Sequence, residues 1–142
     1  MHMLAVSTRR RTRRNFTPEE HDEQVALIQW SEYALPAHPE LALLYAIPNG
    51  GKRSRAVAAK LKAEGVKAGV LDLCLPVPRG TFHGLYIEMK RRHGGVLSAD
   101  QTYWRDQLSA QGYQTYVCKG WESARDAIIQ YLALPDCRRV AA

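Results

Sequence analysis

Residues 84–90 read Gly84-Leu85-Tyr86-Ile87-Glu88-Met89-Lys90, and their alternation is that of a strand with one apolar face. Leu85, Ile87 and Met89 fall on one side and Tyr86, Glu88 and Lys90 on the other, because successive strand side chains point to opposite faces. A carboxylate and an ammonium therefore leave one surface side by side. Upstream, Val70-Leu71-Asp72-Leu73-Cys74-Leu75 is an apolar run of strand length that carries a single acid. Pro76-Val77-Pro78-Arg79-Gly80 makes a loop-rich connection between the two runs, and strands consecutive in sequence usually pair. Pairing them sets Asp72 beside Glu88 and Lys90, where an acid in apolar surroundings needs a partner or a metal.

Working outward from this pair, Thr17-Pro18-Glu19-Glu20 carries the signals of a helix start: a threonine cap, proline at the first helical position and a glutamate three residues after the cap. The spacing predicts that this helix buries Val25, Leu27, Ile28 and Tyr33 and ends before Pro36. Leu41 to Ile47 reads as a short buried strand closed by the turn Pro48-Asn49-Gly50-Gly51, followed by a helix over Arg53–Glu64 that stops at Gly65. Ser98-Ala99-Asp100-Gln101 opens another capped helix ending at Gly112. Gln114–Cys118 is a fourth strand, and residues 121–133 a last helix with Trp121, Ala124, Ile128 and Leu132 at helical spacing. The order of elements predicts an α/β fold: a small mixed four-stranded sheet flanked by helices. Residues 1–16 read as a basic arm, 17–133 as the folded domain and 134–142 as a frayed tail.

The 142 residues suit one domain with its own core. An apolar fraction of 46% and a charged fraction of 24% are those of an ordinary globular chain. No apolar stretch approaches the roughly 20 residues of a membrane span, and no signal-peptide pattern opens the chain. Cys74, Cys118 and Cys137 make no paired spacing, which points to a reducing, cytoplasmic setting. The formal charge of +6, with Arg9, Arg10, Arg11, Arg13 and Arg14 close together, suggests an anionic partner such as nucleic acid.

Asp72 and Glu88 on adjoining strands offer hard oxygen ligands for Mg²⁺ or Mn²⁺, with waters and a substrate phosphate completing the shell. Lys90 beside them can orient a water, help take its proton or stabilise charge on a phosphate. The plainer reading of Glu-x-Lys is a solvated pair on the sheet surface. Asn49-Gly50-Gly51-Lys52-Arg53 invites an anion-binding reading, since glycine-rich turns before helices bind phosphates. It fails the nucleotide-loop pattern: the glycine five positions before Gly51 is missing and Arg53 stands in place of Ser or Thr. Asn49, Lys52, Arg53 and Arg55 are candidate contacts to a DNA backbone, or simply a basic loop and helix face. His83 and His93 lack metal-site spacing, and Trp30, Trp104 and Trp121 lie among apolar neighbours, as core residues do.

The pattern along the chain resembles the VRR-NUC family of the PD-(D/E)xK nuclease superfamily. The resemblance is carried by Glu20-x3-Gln24 and Trp30, by Ile47-Pro48-Asn49-Gly50-Gly51-Lys52-Arg53 and by Gly65 to Gly69-Val70-Leu71-Asp72-Leu73. It continues through Ile87-Glu88-Met89-Lys90, Leu97-Ser98-x2-Gln101, Trp104 and Gly112. The resemblance implies a restriction-endonuclease-like core and a Mg²⁺- or Mn²⁺-dependent endonuclease acting on DNA. Metal ligands fall on Asp72 and Glu88, the family's lysine on Lys90, its helix-borne glutamate on Glu20 (also a metal ligand) and its glutamine on Gln101. Glu23, one turn beyond Glu20, is the alternative helix-borne acid, and both Glu20 and Gln101 could simply close capping boxes. Leu71 stands where the family usually has proline. Stand-alone phage and bacterial members resemble resolvases, which implies a homodimer cutting Holliday junctions or other branched DNA. A nickase or flap-type nuclease of phage replication, and a catalytically silent DNA-binding module, are the other two expectations.

Overall fold

The computed structural model of the chain describes residues 19–48 and 53–139. Its elements run α1 (Glu20–Tyr33), a 3-10 turn (Pro39–Leu43), β1 (Tyr45–Ala46), α2 (Arg55–Ala63), β2 (Leu73–Leu75), β3 (Leu85–Lys90), α3 (Ala99–Ala110), β4 (Gln114–Lys119), α4 (Trp121–Leu132) and a final 3-10 turn (Cys137–Arg139). The sheet order is β1-β2-β3-β4. β1 pairs with β2 and β2 with β3 antiparallel, while β3 and β4 are parallel. A parallel neighbour needs a long crossover, and α3 supplies it. The mixed α/β sheet flanked by helices is the fold the sequence predicts.

The alternation along β3 sorts the two faces of the sheet. Leu85, Ile87 and Met89 are buried in the core with Leu73 and Leu75, under Leu27 of α1 and Ile128 and Tyr131 of α4. Tyr86, Glu88 and Lys90 leave the opposite face. In register, Leu73 lies across from Ile87, Glu88 from Val117 and Lys90 from Lys119. The face that carries Tyr86, Glu88 and Lys90 is therefore the one that α1 and α4 do not pack against.

Several elements differ from their sequence reading. Helix α1 starts at Glu20, and the Glu19 N–H donates to the Asp22 carboxylate at 2.9 Å; Thr17 and Pro18 lie outside the described residues. Its buried residues are Glu23, Leu27 and Ser31. Val25 and Tyr33 are exposed, a rotation of the buried stripe away from the one predicted. The buried strand predicted over 41–47 is a 3-10 turn begun by Pro39, then a two-residue edge strand whose Tyr45 is half exposed. Helix α2 is trimmed at both ends: the Ser54 hydroxyl accepts from the Val57 N–H, and Gly65 after it takes a φ of +96°. Just after α4, the Gly80 N–H donates to the Pro135 carbonyl and Leu134 packs on the core, so the first residues of the predicted tail are tied down, while residues 140–142 lie outside the described residues. Trp30 and Trp121 border the core as predicted. Trp104 does not join that cluster, and its indole N–H donates to the Ala68 carbonyl at 3.0 Å. No helix among the described residues is long and apolar enough to cross a membrane.

Candidate active site

β2 is shorter than its sequence run: it begins at Leu73, one residue after Asp72. At that point the Asp72 carboxylate accepts the Met89 N–H at 2.7 Å, standing where the next strand carbonyl would be. The Asp72 carbonyl accepts the Ile47 N–H at 2.8 Å. Asp72 is thus fixed at the end of the ladder, beside the outward-facing end of β3.

Glu88 and Lys90 are almost fully enclosed, at 1% and 5% exposure. Lys90 Nζ lies 3.1 Å from Glu88 Oε1 and donates to Gln101 Oε1 at 3.1 Å. Gln101 Nε2 in turn donates to Glu88 Oε1 at 2.6 Å. Gln101 also makes the predicted capping box: its Oε1 accepts the Ser98 N–H at 2.9 Å, and its own N–H donates to Ser98 Oγ. Capping and site contact are therefore one arrangement, in which the cap orients the amide toward Glu88 and Lys90. Gly69 allows it, since a Cβ there would collide with Asp100 in the first turn of α3. Gly95 packs directly on Lys90, where a Cβ would lie 2.8 Å from the lysine Cβ.

Glu20 is the first residue of α1, not the third after its cap, and its Oε1 lies 3.8 Å from Lys90 Nζ. Glu23 points elsewhere. Its Oε1 accepts Arg92 Nε at 2.9 Å and its Oε2 accepts the Trp121 N–H at 2.7 Å, a brace between α1, the end of β3 and the start of α4. Arg92 also pairs with Glu122. Of the two acids weighed on this helix, Glu20 is the one brought to the cluster.

The electrostatics of the cluster are those of crowded carboxylates. Burial, and then the negative charge of Asp72, push Glu88 up to about 7, against the pull of Lys90. Burial also raises Asp72, opposed by the Met89 N–H and Lys90. Glu88 Oε2 is buried and, among the described residues, no N–H or hydroxyl donates to it; its near neighbour is the Asp72 carboxyl, whose contact with Glu88 also opposes the rise at Asp72. An unsatisfied buried acceptor of this kind is costly, and it is an oxygen that a divalent cation could take as a ligand. Among the described residues no group of three acids, histidines or cysteines closes a metal shell. Asp72 and Glu88 are the donor type that Mg²⁺ and Mn²⁺ use, since such ions keep several waters and take one or two carboxylates, and these two residues could hold one.

Arg53 and Arg55 are exposed at the start of α2, a helix with no buried residue, while Asn49 and Lys52 lie outside the described residues. His83 and His93 are exposed, and among the described residues neither belongs to a group of metal-ligating side chains. The cysteines are free. The reading of the sequence missed the Glu23–Arg92 brace. The available signal was an acid on the same helical stripe as Leu27, four residues on.

Comparison with known proteins adds the family. The VRR-NUC domain model matches residues 9–122. A solved structure described as a VRR-NUC domain protein superposes with a TM-score of 0.73 at 30% identity, covering 85% of this chain and 93% of its own. Comparison with curated proteins gives no match.

Proposed function

The chain belongs to the VRR-NUC family, a nuclease-type domain acting on DNA, and on that premise we propose that it is a metal-dependent, structure-selective endonuclease that hydrolyses phosphodiester bonds. The observation that supports this most is the buried, unpartnered Glu88 Oε2 next to Asp72. These two carboxylates would hold Mg²⁺ or Mn²⁺, which when bound supplies charge neutralisation at the phosphate and a water of lowered pKa. The Lys90 ammonium, held by Gln101 and Glu88 and approached by Glu20, stabilises negative charge on the phosphate oxygens. Gln101 positions both Glu88 and Lys90 from the start of α3. Glu20 completes the surround as an outer acid. Arg53 and Arg55, with Asn49 and Lys52, contact the DNA backbone.

The proposed substrate is branched DNA, a Holliday junction above all, cut by a homodimer. Two symmetric incisions require two symmetric active sites, which a two-fold dimer provides. The test is incubation with a four-way junction, a flap and a linear duplex, each with Mg²⁺, Mn²⁺ or EDTA, alongside gel filtration. The expected result is a dimer whose metal-dependent cleavage is greatest on the junction. Cleavage greatest on the flap, or of one strand only, would replace the resolvase with a flap nuclease or nickase. Binding without cleavage would replace it with a silent DNA-binding module.

A further inference from the structure

A groove of about 540 Å³ runs from the first turn of α1 to the loop that leaves β3, lined on one side by Glu19, Glu20 and His21 and on the other by Arg91, Gly94, Gly95 and Val96. It falls within the range of roughly 300–1,000 Å³ typical of sites for small ligands. Glu20 lines the groove and its Oε1 lies 3.8 Å from Lys90 Nζ, so the groove borders the carboxylate cluster. Gly95 packs on Lys90 itself, which places the loop tip at the lip of the site.

Two side chains of this loop have no structural task. Arg92 is held by Glu23 and Glu122, but its neighbour Arg91 forms no ion pair or hydrogen bond among the described residues. Val96 is 81% exposed, although β-branched apolar residues are usually buried. A cation without a partner and an unburied apolar side chain beside one groove match the two parts of a nucleotide, phosphate and base. Glu19 and Glu20 on the α1 side repel a phosphate, which sets the strand's backbone against Arg91 on the opposite wall.

We propose that this groove is a strand-binding subsite that holds the nucleotide next to the scissile phosphate unstacked, with Arg91 on its phosphate and Val96 inserted against its base. Apolar wedges unstack base steps at an energetic cost of a few kcal/mol, least where the step is already broken. The groove therefore selects DNA whose stacking is interrupted at the cut, which is the property shared by junctions, flaps and bulges. The inference rests on the nuclease reading above for its ligand.

The test uses the full chain and a four-way junction carrying 2-aminopurine next to the branch point, with Ca²⁺ in place of Mg²⁺ for binding, and Mg²⁺ or Mn²⁺ for cleavage. Binding of the unaltered protein is expected to raise the fluorescence, and Val96→Ser to abolish the rise while thermal stability is unchanged. Arg91→Ala is expected to weaken binding about tenfold and to lower the salt slope by about one. A fluorescence rise that survives Val96→Ser, or an unchanged affinity and salt slope in Arg91→Ala, overturns the subsite. Cleavage without a rise in the unaltered protein also overturns the subsite and leaves the nuclease reading standing. A rise without cleavage upholds unstacking by the groove but removes the nuclease, and with it the placement of the groove beside a scissile phosphate. Neither signal removes both.

Discussion

Glu23 and Glu88 are buried to the same extent, at 1% exposure each, yet their surroundings are opposite. Both Glu23 oxygens are engaged, one by the Arg92 guanidinium and one by the Trp121 N–H at the start of α4. That N–H is among the free donors at a helix N-terminus, where a carboxylate is favoured. Glu88 shares one oxygen between Lys90 and Gln101, leaves the other without a partner and stands next to a second carboxylate. The second arrangement leaves a buried acceptor open, as the proposed metal site requires. Local strain and unpaired charge persist where function requires them, so burial alone does not separate a brace from a site, whereas the completeness of its hydrogen bonding does.

The contrast can be broken by exchanging the two roles. Glu88→Gln is expected to lower metal-dependent cleavage by about a hundredfold to a thousandfold, the scale of removing one preorganised electrostatic group. Its melting temperature without metal is expected not to fall, because the change removes a buried charge beside Asp72. Loss of folding in this variant, by circular dichroism, would make Glu88 a structural residue like Glu23. Glu23→Ala should do the reverse. It strips the Trp121 N–H and Arg92 of their shared acceptor and costs about 2 kcal/mol, or roughly 5 °C in melting temperature. Cleavage per folded molecule should stay within a few-fold. A large loss of cleavage at full stability would move Glu23 into the active site.

The smallest expected effect is one of pH. The folded protein binds a proton on Glu88 more tightly than the unfolded chain does, since its pKa rises from 4.5 to about 7. Stability contributed by this group is therefore highest below about pH 4.5 and declines as pH rises through 7. Scans of melting temperature from pH 5 to 8 should show this decline without metal and a flatter profile with Mn²⁺, which favours the ionised carboxylate. Glu88→Gln should flatten the metal-free profile. A metal-free slope that the substitution leaves unchanged would assign the effect to another group.

The sequence made some of this contrast readable and hid the rest, for physical reasons. β3 was legible because Leu85, Ile87 and Met89 alternate with Tyr86, Glu88 and Lys90 on a strand with one buried face. The α3 cap was legible because Ser98 and Gln101 interact within one turn. The Glu23 brace was not, since its partners lie 69 and 98 residues away. The 41–47 strand misled because an apolar run does not distinguish a strand from a helical turn, and Pro39 decided for the turn. Gln101 had two readings in sequence, cap or site, and the fold shows that one side chain makes both sets of contacts.

The central claim is that Asp72 and Glu88 form a carboxylate pair completed by a divalent cation. Isothermal titration of Mn²⁺ into the folded protein, without DNA, addresses it directly in the unaltered chain, Asp72→Asn, Glu88→Gln and Glu23→Ala. The expected result is saturable binding in the unaltered protein and in Glu23→Ala, and its loss in both Asp72→Asn and Glu88→Gln. Equal Mn²⁺ affinity in Glu88→Gln and the unaltered protein would contradict the account.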